Sequence, residues 1–118
     1  MKTILVVESN RNHLLLYDQE LSSDGYKVIK AENGYKAIEK LKGYSPDLVV
    51  MDVILPNMNG IELIDKILSE YRKIPIIINT AYSSYMDNFM TWLADAYIIK
   101  SSDLSELKNT IKKLVEVK

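Results

Sequence analysis

Five short apolar runs, with helix-periodic segments between them, constrain this sequence more than any other feature. The runs are Ile4-Leu5-Val6-Val7, Tyr26 to Ala31, Leu48-Val49-Val50-Met51, Ile76-Ile77-Ile78 and Tyr97-Ile98-Ile99. The first, third and fourth are continuous and rich in β-branched residues, the pattern of strands buried on both faces of a parallel sheet. Tyr26 to Lys30 mixes apolar and charged residues, which suits a strand nearer the edge. Between the runs, Leu14, Leu15 and Leu21 mark one apolar helix face, with Gly25 as its stop. Asn33-Gly34 opens a second helix carrying Ala37, Ile38 and Leu41 on one face. Asn59 and Glu62 have N-cap and N3 chemistry ahead of Ile61, Ile64 and Leu68. Met86, Phe89, Met90 and Leu93 form the stripe of a fourth helix. Asp103 with Glu106 caps a fifth, whose stripe is Leu104, Leu107, Ile111 and Leu114. A βα unit repeated five times argues for a parallel sheet covered by helices on both faces through right-handed crossovers.

With 118 residues, the chain suits one domain spanning 1–118, and no repeat, linker or low-complexity stretch divides it. The final helix ends with the chain, so no attached output domain is expected. There is no cysteine, which removes disulfides, thiolate catalysis and cysteine-ligated metal centres. The net charge of −1 comes without a polybasic run, which argues against nucleic-acid binding. The apolar runs are too short to span a bilayer, and the N-terminus lacks the form of a signal peptide. A cytoplasmic protein without a membrane partner is expected.

In an open α/β sheet, ligands bind beyond the carboxyl ends of the strands. Strand one ends at Glu8-Ser9-Asn10, strand three at Asp52, strand four at Asn79-Thr80 and strand five at Lys100. With strands one, three, four and five at the centre, Glu8, Asp52, Thr80 and Lys100 converge on one edge. Two carboxylates, a hydroxyl and an ammonium suit a divalent cation and a phosphoryl group. A carboxylate can also be the nucleophile that accepts the phosphoryl group. Taken singly, each has a plainer reading: Asp52 as a turn former, Lys100 as a solvated charge, Thr80 as a partner for a backbone group.

At these positions the sequence resembles the receiver domain of two-component response regulators, the chemotaxis-regulator-like single domain included. Ile4 to Glu8, Pro46 to Asp52, Leu55-Pro56-Asn57-Met58-Asn59-Gly60, Thr80-Ala81 and Tyr97 to Lys100 carry the resemblance, which covers essentially the whole chain. It implies a doubly wound, flavodoxin-like (βα)5 fold with a five-stranded parallel sheet in the order 2-1-3-4-5. It also implies that Asp52 accepts a phosphoryl group from a sensor histidine kinase or phosphotransfer protein, and that the domain catalyses both uptake and loss. Thr80 and Lys100 match the residues that hold the phosphoryl oxygens. Glu8, Asp52 and the backbone carbonyl of Ile54 match a Mg²⁺ site. Thr80 and Tyr97 match the switch pair, and the face of the fourth helix, fifth strand and fifth helix would carry the signal to a downstream protein. Tyr82 matches a position that lines the phosphorylation site.

Three departures carry expectations of their own. Ser9 stands where the family has a second acid, and a serine hydroxyl is a poorer Mg²⁺ ligand than a carboxylate, so weak Mg²⁺ affinity is expected unless Glu8 reaches the metal. Ser101 replaces a proline that usually follows a cis peptide, and a cis bond before serine costs about 2.5–4 kcal/mol, so a trans peptide is expected. The stretch from Thr80 to Lys100 is shorter than usual by roughly two residues, about half a helical turn, so a shortened or reoriented fourth helix is expected. Ser9 and Ser101 also keep open a phosphorylation-independent interaction module of the same fold. A flavin-binding protein is disfavoured, because no Ser/Thr/Gly-rich loop follows strand one. His13, the only histidine, is expected to pack on helix one or lie at the surface. Trp92, Tyr82 and Tyr85 offer either a binding surface or partial burial. Lys108, Lys112 and Lys113 read as a solvated helix face. Lys100→Ala is expected to weaken switching more than folding.

Overall fold

The computed structural model describes residues 1–71, 73–88 and 92–116. Its five strands are β1 (Thr3–Val7), β2 (Lys27–Ala31), β3 (Leu48–Met51), β4 (Ile76–Thr80) and β5 (Ala96–Ile99). All pairs are parallel and the order is β2-β1-β3-β4-β5. This is the doubly wound α/β arrangement expected from the alternating pattern. The mixed strand, β2, lies at an edge, and the β-branched runs lie inside.

Side chains alternate across the sheet with a period of two, so each strand feeds two cores. Ile4, Val6, Leu48, Val50, Ile77 and Ile98 pack beneath α1 (Arg11–Ser23) and the C-terminal helix (Ser105–Glu116). Leu5, Val7, Val49, Met51, Ile76 and Ile78 pack beneath α2 (Gly34–Tyr44) and α3 (Gly60–Glu70). Fully burying each such aliphatic side chain contributes about 1.5–3 kcal/mol.

The helix faces follow the 3.6-residue period with some revisions. On α1 the buried residues are Leu14, Tyr17 and Leu21, while Leu15 is exposed. The i, i+3, i+7 spacing from Leu14 selects Tyr17, and Leu15 is turned about 100° away. On α3, Leu63 and Ile67 join Ile64 in the core, while Ile61 and Leu68 sit half-buried at its margin. Val115 joins Leu107 and Ile111 on the C-terminal helix. Asparagine caps all three loops that leave the carboxyl ends of β1, β2 and β3. Asn10, Asn33 and Asn59 accept the backbone N–H groups of His13, Lys36 and Glu62 at 3.1, 2.9 and 2.8 Å. Each such cap is worth about 1 kcal/mol. Asp103 accepts from the N–H and hydroxyl of Ser105 rather than from Glu106.

In the segment of the expected fourth helix, Ser84–Asp87 form a single 3-10 turn, and Met86 and Leu93 are exposed. Phe89, Met90 and the side chain of Tyr85 lie outside the described residues. The Lys100–Ser101 peptide is trans. Among the described residues no helix is long and apolar enough to cross a membrane.

Candidate functional site

The alternation that fills the two cores also sorts the residues at the carboxyl ends of the strands. Continuing it one step beyond Val6, Val50 and Ile98 brings Glu8, Asp52 and Lys100 to the α1 side of the sheet. Register sets Glu8 and Asp52 at one level: Val7 pairs with Met51, and the Asp52 N–H donates to the Val7 carbonyl at 3.1 Å, while Lys100 lies two residues beyond Ile98, the partner of Asn79. On the other flank the Lys100 N–H donates to the Thr80 carbonyl at 2.8 Å. Thr80 follows Ile76 and Ile78, so its side chain belongs to the α3 side.

The Lys100 ammonium lies 2.8 Å from Glu8 Oε1 and 2.8 Å from Asp52 Oδ2. The second oxygen of each carboxylate accepts a backbone N–H, Glu8 Oε2 from Asn10 at 3.0 Å and Asp52 Oδ1 from Ile54 at 3.1 Å. Both carboxylates are nearly removed from water, at 3% and 6% exposure. A charge so buried is tolerated only when paired and hydrogen-bonded. Burial pulls the Lys100 pKa down, but the hydrogen bonds and charges of Asp52 and Glu8 outweigh it and leave the pKa raised.

Thr80 is fully buried, and its hydroxyl has no hydrogen-bond partner among the described residues. A buried hydroxyl left unsatisfied costs about 1–3 kcal/mol. Thr80→Val keeps the shape and removes that hydroxyl. The variant is therefore expected to melt at or above the parent temperature in a thermal unfolding scan. A clear drop would mean that the hydroxyl is bonded after all.

The remaining expected residues are distributed around this centre. Tyr97 packs at the margin of the α2–α3 core, and its hydroxyl donates to the Tyr82 carbonyl. Ile54 has an exposed side chain and reaches the site through its N–H. Ser9 is exposed, and Glu8 rather than Ser9 supplies the buried acid at the end of β1. Trp92 is exposed, with its indole N–H donating to the Met86 carbonyl, and Tyr82 is exposed as well. Lys108 pairs with Glu20 on α1 and with Asp24, its C-cap, in keeping with a solvated helix face.

Three residues enter the site unexpectedly. His13 does not simply pack on its own helix: its Nδ1 lies 3.2 Å from the Lys100 ammonium. Tyr17 is buried one turn further along α1, close to the buried Asn79. Burial pushes the Tyr17 phenol up, and Asn79 and the Lys100 charge offset only part of that rise. The signal for Asn79 was present as a lone amide closing the apolar run Ile76–Ile78.

Glu8 and Asp52 offer hard anionic oxygens of the kind Mg²⁺ takes. Among the described residues no three His, Cys, Asp or Glu side chains gather as a metal cluster. Two carboxylates suit an ion that keeps several waters, as Mg²⁺ does.

Residues 4–112 match the response regulator receiver domain family. The chain is 33% identical over 117 residues to the response regulator ArlR of Staphylococcus aureus, covering 98% of this chain and 53% of that protein. It thus spans about half the length of the curated relatives it matches. Among solved structures, the response regulator TrrA of Thermotoga maritima, in complex with Mg(2+)-BeF, superposes with a TM-score of 0.93 at 39% identity, over 97% of this chain and 99% of that one. TrrA in complex with the histidine kinase ThkA gives 0.90 at 39% identity, over 97% and 98% of the two chains. A CheY-like receiver domain protein from Methanospirillum hungatei gives 0.93 at 28% identity, over 99% and 95%.

Proposed function

This chain belongs to the response regulator receiver domain family, and from that premise we propose that Asp52 accepts a phosphoryl group from the phosphohistidine of a sensor kinase or phosphotransfer protein. The observation that carries this reading is the bridge in which Lys100 joins Asp52 and Glu8 at the carboxyl edge of the sheet. An Asp52 oxygen attacks phosphorus; the P–O bond forms, the P–N bond breaks, and the imidazole nitrogen leaves with the electron pair. The acyl phosphate brings about −1.5 to −2 charges beside Glu8. Lys100 transfers its contact from the Asp52 carboxylate to the phosphoryl oxygens while it remains tied to Glu8. The Thr80 hydroxyl, unpartnered at rest, donates to a phosphoryl oxygen. When bound, Mg²⁺ supplies charge neutralisation there; Glu8, Asp52 and the Ile54 carbonyl would hold it, with Ser9 a weak contributor. Attack of water on phosphorus breaks the same P–O bond and returns the Asp52 carboxylate and inorganic phosphate.

Movement of Thr80 is passed to Tyr97 through Tyr82, which lies two residues after Thr80 and holds the Tyr97 hydroxyl. A downstream protein then reads the face formed by the segment after Tyr82, β5 and the C-terminal helix. The signal passes between proteins in the cytoplasm, without direct contact to nucleic acid.

The test is the intact mass after incubation with Mg²⁺ and a small acyl phosphate, or with the cognate kinase, beside an Asp52→Ala control. A phosphoryl adduct in the parent and its complete loss in the control are expected. An adduct that survives Asp52→Ala displaces the acceptor to another residue. No adduct from either donor leaves a phosphorylation-independent interaction module.

A further inference from the structure

Lys100 meets three acceptors, and only two of them are carboxylates. The third is His13 Nδ1, at 3.2 Å. An ammonium carries three N–H donors and no lone pair, so the imidazole nitrogen must be the acceptor. That requires Nδ1 to be unprotonated and fixes the proton of the neutral ring on Nε2. Asn10, which caps α1 by accepting the His13 N–H, anchors the turn that carries the ring. Tyr17 stands one turn along, with its ring centroid 6.3 Å from that of His13. His13 thus links α1 to the ammonium above the apolar side chains that α1 covers.

We propose that His13 is a positioning residue for the phosphoryl chemistry, holding the Lys100 ammonium over Asp52 from the side opposite the sheet. This rests on the reading that Asp52 is the acceptor and adds a residue to it. Two carboxylates alone leave the flexible lysine stem free to shift its head group between them. The third acceptor fixes all three N–H directions at once. When the phosphoryl group arrives, Lys100 gives up the Asp52 contact and keeps both Glu8 and His13, so its head group stays within reach of the new oxygens. The effect on chemistry is through Lys100, because the imidazole itself touches no reacting atom.

The experiment compares the parent with His13→Leu and His13→Gln. Leucine fills the space without an acceptor; glutamine supplies an amide oxygen in place of Nδ1. Initial rates of adduct formation with Mg²⁺ and a small acyl phosphate are measured by intact mass. The ¹⁵N resonance of the Lys100 ammonium is recorded without phosphodonor, and thermal unfolding checks folding. His13→Leu is expected to lose about tenfold in rate, the size of one charge-assisted hydrogen bond, and to shift the Lys100 resonance. His13→Gln is expected to recover most of the rate and to return the resonance toward the parent position. A purely structural role would show in the melting temperature without selective rescue by glutamine. The proposal is overturned if His13→Leu matches the parent in rate and resonance, or if glutamine rescues neither. If the parent itself takes up no phosphoryl group, the acceptor reading fails, and the resonance alone decides whether His13 holds Lys100.

Discussion

Lys100→Ala is expected to lower stability by about 3 kcal/mol at neutral pH, the lower end of the usual cost of removing one partner of a buried ion pair. For a chain of this size the melting temperature should fall by roughly 10–15 °C. The variant leaves two carboxylates, 3% and 6% exposed, facing the space the ammonium held, with the Asn10 and Ile54 N–H groups as their remaining partners among the described residues. The penalty is their mutual repulsion in a region water reaches poorly. Lys100 therefore matters to folding as well as to the proposed switching, because its ammonium neutralises the two carboxylates. Adding Glu8→Gln to Lys100→Ala removes one of the stranded charges and should recover part of the loss. The parent supplies a second check. The Lys100 pKa is raised in the folded state from the ordinary lysine value of 10.5. Its contribution is then complete below that value and disappears as pH climbs through the raised folded value. Denaturant unfolding of parent and variant from neutral to strongly alkaline pH should show two stabilities that converge at the alkaline end. Other lysines titrate alike in both proteins and cancel in the difference. A gap that stays constant with pH would mean that lost packing of the lysine stem, not the bridge, is responsible.

The parts of this site that were legible in the sequence are those set by local periodicity. A strand alternates with period two and ends where polar residues begin, so Glu8, Asp52 and Lys100 could be placed at one edge before any contact was known. The cap at Asn59 and the stop at Gly25 were legible for the same reason, since each satisfies backbone groups within a few residues. His13 was not legible in this way. Its meeting with Lys100 joins residues far apart in sequence and depends on how far the Lys100 side chain reaches toward α1, which no local pattern encodes. Hydropathy favours Leu15 over Tyr17 on α1, whereas the spacing from Leu14 favours Tyr17, and the spacing prevails. The buried, unpartnered hydroxyl of Thr80 needed coordinates as well, since a strand-end threonine ordinarily finds a backbone partner.

Gly60→Ala should have the other large effect, and the reason is space rather than backbone dihedral. A Cβ built on Gly60 would stand 2.4 Å from the Val53 Cα, 2.8 Å from its carbonyl oxygen and 2.9 Å from its carbonyl carbon. All three are backbone atoms, so no rotamer change relieves the contact. The same pair of residues is tied by the Gly60 N–H donating to the Val53 carbonyl at 2.8 Å, so the two segments cannot part without losing that bond. Overpacking of this kind costs about 3 kcal/mol, the upper part of its usual range. Val53 directly follows Asp52, and its displacement moves the carboxylate away from Lys100. Gly60→Ala should accordingly lose both stability and phosphoryl uptake. Gly43 offers the contrast, because it lies inside α2 and a Cβ there meets nothing within 4 Å. Gly43→Ala should stabilise by about 0.5–1 kcal/mol, the helix preference of alanine over glycine. Combining the two separates geometry from stability. If Gly60→Ala acts by shifting Asp52, then Gly43→Ala raises the denaturation midpoint of the double variant but leaves the rate of adduct formation depressed. If the rate recovers along with the midpoint, Gly60 serves the site only by keeping the domain folded.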